Sequence, residues 1–205
     1  RFADAREVSR WVLYDVYDRL AALPRTVKLR RDIAESAQTY LNRLANDPFA
    51  PPAVRIEVAE GLRRLALVQG MPGTANLAQP EPARQNLERA ADVLRGIRPS
   101  DAGGQRSLDL QRARIALARA TLASNSALQF KPAAAALDDA DARIAAVLAS
   151  SPGDREAEAL RLESVVLRAT VLQWQGQYET AVSLARRELA SSRAMAAAAP
   201  EDRET

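Results

Sequence analysis

Alanine-rich amphipathic segments, interrupted at intervals by proline and glycine, are the feature that most restricts the fold of this chain. Between the interruptions, apolar residues recur at three- and four-residue spacing, which is the periodicity of one face of an α-helix. The 205 residues are 47% hydrophobic but only 4% aromatic, so the core has to be built from Ala, Leu, Val and Ile. Small side chains let helices approach closely, which favours helix-on-helix layers over a sheet sandwich. We therefore predict an all-α fold.

Eight helices are predicted from the positions of the breakers and the apolar periodicity. A proline-rich segment, residues 46–52, ends one helix and starts the next. A long turn covers 70–80, and a second, flexible connector covers 99–104. Asp154 is predicted to be the N-cap of the seventh helix. The predicted helices cover residues 2–23, 26–44, 53–68, 81–97, 107–123, 132–149, 155–174 and 178–196.

The helices group into four antiparallel pairs within one domain that spans residues 1–205. An internal echo supports this grouping, because Arg119-Ala120-Thr121-Leu122 and Arg168-Ala169-Thr170-Val171 lie 49 residues apart. Each echo falls late in the first helix of its pair, as expected for stacked repeats. The N-terminal pair covers residues 1–46, and the repeat-like pairs cover 53–97, 107–149 and 154–197.

The fourth pair resembles a tetratricopeptide repeat (TPR). Its central segment, residues 176–185, has the glycine turn, the aromatic Tyr178 and the small Ala181 three residues later. Ala169 is the small residue of the first helix, and Pro152 closes the preceding repeat. The characteristic tryptophan and first-helix tyrosine are missing, and the spacing is nearer 50 residues than the roughly 34 of this family. The resemblance implies degenerate repeats with longer helices, stacked as a TPR-like right-handed solenoid of about eight helices.

A second resemblance covers about the first half of the chain. Residues 2–8, 13–18, 40–44 and 68–77 are similar, in this order, to the C-terminal region of certain bacterial membrane-anchored serine/threonine protein kinases. The turn Gln69-Gly70-Met71-Pro72 followed by Ala75-Asn76-Leu77 is the most specific part.

In that family a kinase domain is followed by one membrane helix and then by a TPR-like domain. The resemblance implies that this chain is the extracytoplasmic (periplasmic) sensor or interaction domain, with Arg1 just beyond the membrane helix. The alternative is a cytosolic TPR scaffold or adaptor, either free-standing or attached to a transcription regulator.

Catalytic chemistry is not expected from these residues. The chain has no histidine and no cysteine, which removes the commonest general base, the commonest nucleophile–base pairs and the usual zinc ligands. Gly70, Gly73 and the Gly103-Gly104 pair lack the strand, helix and Lys-Ser/Thr context of a phosphate-binding loop. Carboxylate pairs such as Asp138-Asp139 read as solvated helix charges. The kinase motifs are also absent, so we predict a non-enzymatic segment with no cofactor and no metal site.

The charge pattern points to a protein partner. The net charge is only +3, and all basic residues except Lys28 and Lys131 are arginines. Because acidic residues are interleaved with these arginines, we do not expect nucleic acid to bind. Without an apolar run of about 18 residues, we expect no membrane contact beyond a preceding membrane helix. The expected partner is a protein or a peptide, with a preference for acidic segments, and a homodimer is left open.

The binding residues are predicted from the way repeat proteins use the concave face of their first helices. Arginines on that face would bind an acidic peptide or a C-terminal carboxylate through charge-assisted forks. The alternative is that they are merely solvated. Trp174 is either a groove anchor or a core residue, and the turn at 71–79 is a second candidate surface. The residues predicted to line the groove are Arg63, Gln69, Arg112, Arg119, Arg168, Gln173 and Trp174.

An aromatic stripe on the first predicted helix is a further candidate. Trp11, Tyr14 and Tyr17 follow one another at three-residue intervals, so they share one side of that helix. They could form a partner surface or a membrane-proximal belt, or they could cover the core against the second helix.

Overall fold

Seven α-helices and their connecting turns form the part of the chain that the structure describes. This computed structural model describes residues 27–73 and 76–198, and these residues contain helices and no strands. The all-α prediction is therefore confirmed, while the helix predicted over residues 2–23, with Trp11, Tyr14 and Tyr17, lies outside the described residues. The helices are α1 (Val27–Ala45), α2 (Pro52–Gly70), α3 (Pro80–Val93), α4 (Ala102–Ala127), α5 (Phe130–Ser150), α6 (Arg155–Trp174) and α7 (Tyr178–Ala198).

Proline residues and one aspartate set the starts of several helices. Helices α2 and α3 both open with proline in the first turn, where the missing N–H would have no partner within the helix. Asp154 accepts hydrogen bonds from the backbone N–H groups of Glu156 and Ala157, at 3.1 and 3.0 Å. The predicted N-cap of α6 is thus confirmed, and α6 has the predicted bounds.

Helix α4 is longer than predicted at both ends. The prediction placed it at 107–123 and treated 99–104 as a flexible connector. Asp101 instead accepts a hydrogen bond from the backbone N–H of Gly104 at 2.7 Å. This cap starts the helix at Ala102, so that both glycines lie in its first turn. At the other end, Leu128 adopts a left-handed φ of 50°, which terminates the helix. Residues 102–104 of the predicted connector therefore belong to the first turn of α4, whereas residues 99–101 lie outside the helices as predicted.

The helices pack in the order in which they follow one another along the chain. Each helix from α1 to α6 packs against the next one, with the closest associations between α4 and α5 and between α2 and α3. Helices α2, α4 and α6 are the first helices of the three predicted repeat-like pairs. They also pack against one another in that order. Within the described residues, no helix combines the length and the apolar character needed to cross a bilayer.

Buried positions repeat along the chain with a spacing close to 50 residues. In the first helices, Ala59, Leu108 and Ala157 are completely buried and lie 49 residues apart. Leu62, Gln111 and Leu160 repeat the same spacing one turn later, and all three are buried. In the second helices the spacing between α3 and α5 is 50 residues. The buried equivalents there are Ala83 and Ala133, Leu87 and Leu137, and Ala90 and Ala140.

Helix α4 contributes to each of three buried clusters. Leu108 and Ile115 belong to a cluster with α1, α2 and α3, whereas Leu117 belongs to a cluster with α5 and α6. Ala118 and Leu122 complete a smaller cluster with residues of α2 and α3. The core is thus a chain of apolar contacts that runs through α4.

The turn that connects α2 and α3 folds back on the end of α2. The backbone N–H groups of Leu77 and Gln79 donate to the carbonyls of Val68 and Gln69, at 3.0 and 2.8 Å. A Cβ atom on Gly70 would lie only 2.7 Å from the backbone of Gln79, so this close approach requires glycine. Met71 and Leu77 of this turn are buried, and their side chains are not available to a partner.

Helices α4 and α6 are joined by a cluster of charged side chains. Arg106 donates to the two carboxylate oxygens of Asp154 at 2.5 and 3.0 Å, and to Glu156 at 2.9 Å. Arg114, two turns further along α4, also pairs with Glu156. The bonds from Arg106 and from the backbone N–H of Ala157 lower the pKa of Asp154 from its ordinary value of 3.8 to about 2.

We predict that this cluster makes stability depend on Asp154 in acid. The unfolded chain takes up a proton on this carboxyl near pH 3.8, whereas the folded chain does so only near pH 2. The contribution is therefore fully present above about pH 4 and is lost as the pH falls towards 2. In urea unfolding at several pH values, Asp154→Asn should lose stability less steeply over this range than the wild type. Parallel curves for the two proteins would contradict this role of Asp154.

Candidate functional site

A groove of about 470 Å³ lies between α3 and α5, with α4 beneath it. Its apolar surface includes Leu87, Leu122, Ala123 and Ala136. Leu87 and Leu122 also belong to the smallest of the three buried clusters, so the base of the groove is held by core packing. The volume falls within the range of ligand clefts, roughly 300–1,000 Å³, and leaves room for several aliphatic side chains.

The α3 wall of the groove carries three charged side chains on one helix face. Arg84 bonds to both oxygens of Glu81, one turn before it, and to Glu88, one turn after it. The bonds from Arg84 and Gln85 lower the pKa of Glu81, and the two carboxylates raise that of Arg84. This wall therefore has two carboxylates for one guanidinium.

Arg119 lines the same groove from α4. Its side chain is exposed, and it forms no hydrogen bond or ion pair with any other residue in the described part of the chain. Its donors are therefore free for a ligand. Of the seven residues predicted to line a binding groove, Arg119 is the one that this groove contains.

Arg168 stands 49 residues after Arg119, at the equivalent position of α6, but its environment is different. Its Nη2 atom donates to Asp138 at 2.8 Å and to Asp141 at 2.7 Å, both on α5. Asp141 also accepts a hydrogen bond from Ser164 at 2.5 Å. These bonds join α5 to α6, so the Nη2 atom of Arg168 serves the packing of the helices.

Arg63 and Arg112 belong to a series of arginines in the first helices. The third member is Arg161, and the three are half-buried and lie 49 residues apart. Arg112 donates to the carbonyl of Leu94 at 2.9 Å, and burial lowers its pKa. Arg161 pairs with Glu158 and with Glu188 of α7. In α4 and α6 the series therefore links neighbouring structural elements.

Gln69 is buried, with 7% of its surface exposed. Its Oε1 accepts a hydrogen bond from Asn86 at 2.7 Å, and Asn86 also exchanges bonds of 2.6 and 2.9 Å with Gln38. The three carboxamides thus join α1, α2 and α3. Gln69 was predicted to line the binding groove. It lies outside the groove between α3 and α5 and lines a separate, smaller pocket beside α1.

The last two predicted residues lie at the end of α6. Gln173 is exposed. The Trp174 ring packs against Phe130 at the start of α5, with the ring centroids 6.4 Å apart and the planes tilted by 49°. Trp174 remains 45% exposed, so it covers the junction between α5 and α6 without being enclosed. Neither residue lines the groove between α3 and α5.

The remaining polar residues of the groove were not predicted from the sequence. Glu81, Arg84 and Glu88 follow one another at three- and four-residue spacing, a signal that places them on one face of α3. Gln129, from the connection between α4 and α5, completes the polar lining. Among residues 27–73 and 76–198, no three carboxylates come close enough to hold a metal ion.

The arrangement of the groove suits the binding of a chain segment. An apolar base, one free guanidinium and an acidic α3 wall supply burial and charge recognition. Comparison of the chain with protein-family models, curated proteins and solved structures gave no match.

Proposed function

We propose that this chain is a non-catalytic module that binds a segment of another protein in the groove between α3 and α5. The observation that carries the proposal is the combination of an apolar base with the unpaired guanidinium of Arg119. Peptide grooves in helical proteins take the apolar face of a partner and use a few polar groups to orient it. A homodimer is one form that such a partner could take.

The helix pairs are proposed to form a TPR-like right-handed solenoid. Two observations support this architecture: the buried positions repeat every 49 or 50 residues, and α2, α4 and α6 pack in order. In a solenoid each repeat buries its apolar face against its neighbours. The groove then lies between the second helices of two consecutive repeats.

The proposed biological setting follows from the sequence resemblance described above. We place the module on the extracytoplasmic side of a bacterial membrane, attached to a transmembrane serine/threonine kinase. Binding in the groove would shift the position or the association of the attached kinase. The full-length reading frame tests this setting, because a kinase domain and about 20 apolar residues should precede Arg1. A frame without them would favour the cytosolic scaffold.

Groove binding can be tested with a random library of displayed peptides of about 16 residues, or about four helical turns. We expect the immobilised chain to select peptides with an apolar face. Gln129→Trp at the rim and Ala136→Trp on the α5 wall should weaken their binding by at least about tenfold, because each fills the groove. Ala142→Trp is the matched control, since Ala142 is exposed on α5 outside the groove.

The result depends on all three tryptophan variants staying folded, which circular dichroism and thermal unfolding can establish. Because Gln129 is exposed, Gln129→Trp keeps the test valid even if Ala136→Trp disturbs the core. Failure to select any peptide, or equal binding by Gln129→Trp and Ala142→Trp, would refute the proposed function.

A further inference from the structure

Arg119 and Glu88 line one groove at positions whose equivalents in the next repeat are bonded to each other. Arg168 is 49 residues after Arg119, and Asp138 is 50 residues after Glu88, as in the buried pairs of α3 and α5. Arg168 binds Asp138 at 2.8 Å. We propose that Arg119 receives a carboxylate of the bound segment, and that Arg84 keeps Arg119 vacant by holding Glu88. This inference rests on the proposed groove function.

The chemistry of Arg119 favours a carboxylate as its ligand. A guanidinium carries five N–H donors in a fixed fork that matches the two oxygens of a carboxylate. None of these donors is used by another described residue, and the groove surface near it is apolar. An acidic side chain flanked by apolar residues therefore fits the site, because its carboxylate meets Arg119 while its neighbours cover Leu87 and Leu122.

The acidic α3 wall restricts the kind of partner segment that fits the groove. Glu81 and Glu88 leave the α3 face with an excess of one negative charge over Arg84. A run of acidic residues would bring like charges to this wall, which is unfavourable. The partner segment is thus amphipathic, with one acidic residue towards α4 and neutral or basic residues towards α3.

Arg84 has no counterpart in the next repeat. The residue of α5 equivalent to Arg84 is Ala134, 50 residues later. Nothing at that position competes for Asp138, and Asp138 binds the arginine of the next first helix. In α3, Arg84 bonds to Glu88 and occupies the carboxylate that would otherwise be the partner of Arg119. Arg84 therefore acts as a positioning residue for the site.

Exchanging the charges of Arg119 and of the peptide's acidic residue tests whether Arg119 binds a carboxylate of the partner. The probe is a selected peptide whose binding is blocked by Gln129→Trp, synthesised with its acidic residue intact and with that residue changed to lysine. Arg119→Glu should weaken binding of the acidic peptide by about tenfold, or about 1.4 kcal/mol. The lysine peptide should be weakened similarly on the wild type, and it should recover most of its affinity on Arg119→Glu.

Arg186→Glu is the matched control, because Arg186 is exposed on α7 and does not line the groove. It makes the same change in net charge and should leave both peptides unaffected. If Arg119→Glu weakens the two peptides equally, the carboxylate receptor is overturned while groove binding stands. If no selected peptide carries an acidic residue, the same conclusion follows.

A second pair of variants tests Arg84. Arg84→Ala should weaken the acidic peptide several-fold, because Glu88 is then free to pair with Arg119. Adding Glu88→Gln should restore the affinity, since the competing carboxylate is gone. If the single variant binds as the wild type does, or if the double variant remains weak, Arg84 does not keep the site vacant. If no peptide binds the wild type, the proposed function fails and this inference falls with it.

Discussion

Replacing Leu117 by alanine is expected to lower the free energy of unfolding by about 2–5 kcal/mol. Leu117 is 1% exposed and lies in the cluster formed by α4, α5 and α6. Truncation removes its apolar contacts and leaves a cavity that its neighbours can fill only in part. Because α4 also contributes to the other two clusters, a loss here weakens the helix that connects them.

Urea unfolding followed by circular dichroism measures this effect. Leu162→Ala is the matched control, because it makes the same change of leucine to alanine at a position on α6 that is 42% exposed. The control should change the free energy of unfolding by about 1 kcal/mol or less. Equal losses for the two variants would show that Leu117 is not the core contact described above.

The second large effect is expected from enlarging an alanine. Ala140 is completely buried on α5, and Ala113, Ala120 and Ala133 are equally buried in the same cluster between α4 and α5. These small side chains allow the close association of the two helices. Ala140→Leu should therefore destabilise the fold by about 1–3 kcal/mol, because the added atoms force the helices apart or into strained rotamers.

Ala142→Leu is the control for this prediction. Ala142 lies on the same helix and is exposed, and leucine is also a strong helix former. Its effect on the free energy of unfolding should stay within about 0.5 kcal/mol. If Ala140→Leu unfolds at the same urea concentration as this control, close alanine packing does not hold α4 against α5.

The helices were predictable where local chemistry decides the outcome. Helix α6 has its predicted bounds because Asp154 caps its start and Gly176 adopts a positive φ of 76° just beyond its end. The start of α4 was missed because Gly103 and Gly104 read as breakers. The hydrogen bond from Gly104 to Asp101 caps the helix and lets both glycines be helical. Sequence periodicity does not show whether this bond forms.

The site was less predictable than the helices because it depends on contacts between residues of different helices. Repeat logic predicted both Arg119 and Arg168 for the groove and could not distinguish them, because they have the same local sequence. The difference lies in partners on other helices, namely Asp138 and Asp141 for Arg168. The hydrogen bonds of Gln69 were not predictable for the same reason, since its partners come from two other helices.

The carboxamide cluster of Gln38, Gln69 and Asn86 has a consequence for alignment. Apolar helix faces tolerate sliding, because one leucine or alanine contact resembles another. A shift of α1 by one turn, about 5.4 Å, would separate the amide donors and acceptors of Gln38 from those of Gln69 and Asn86, whose side chains are buried. The cluster therefore favours one relative position of α1, α2 and α3 along their axes.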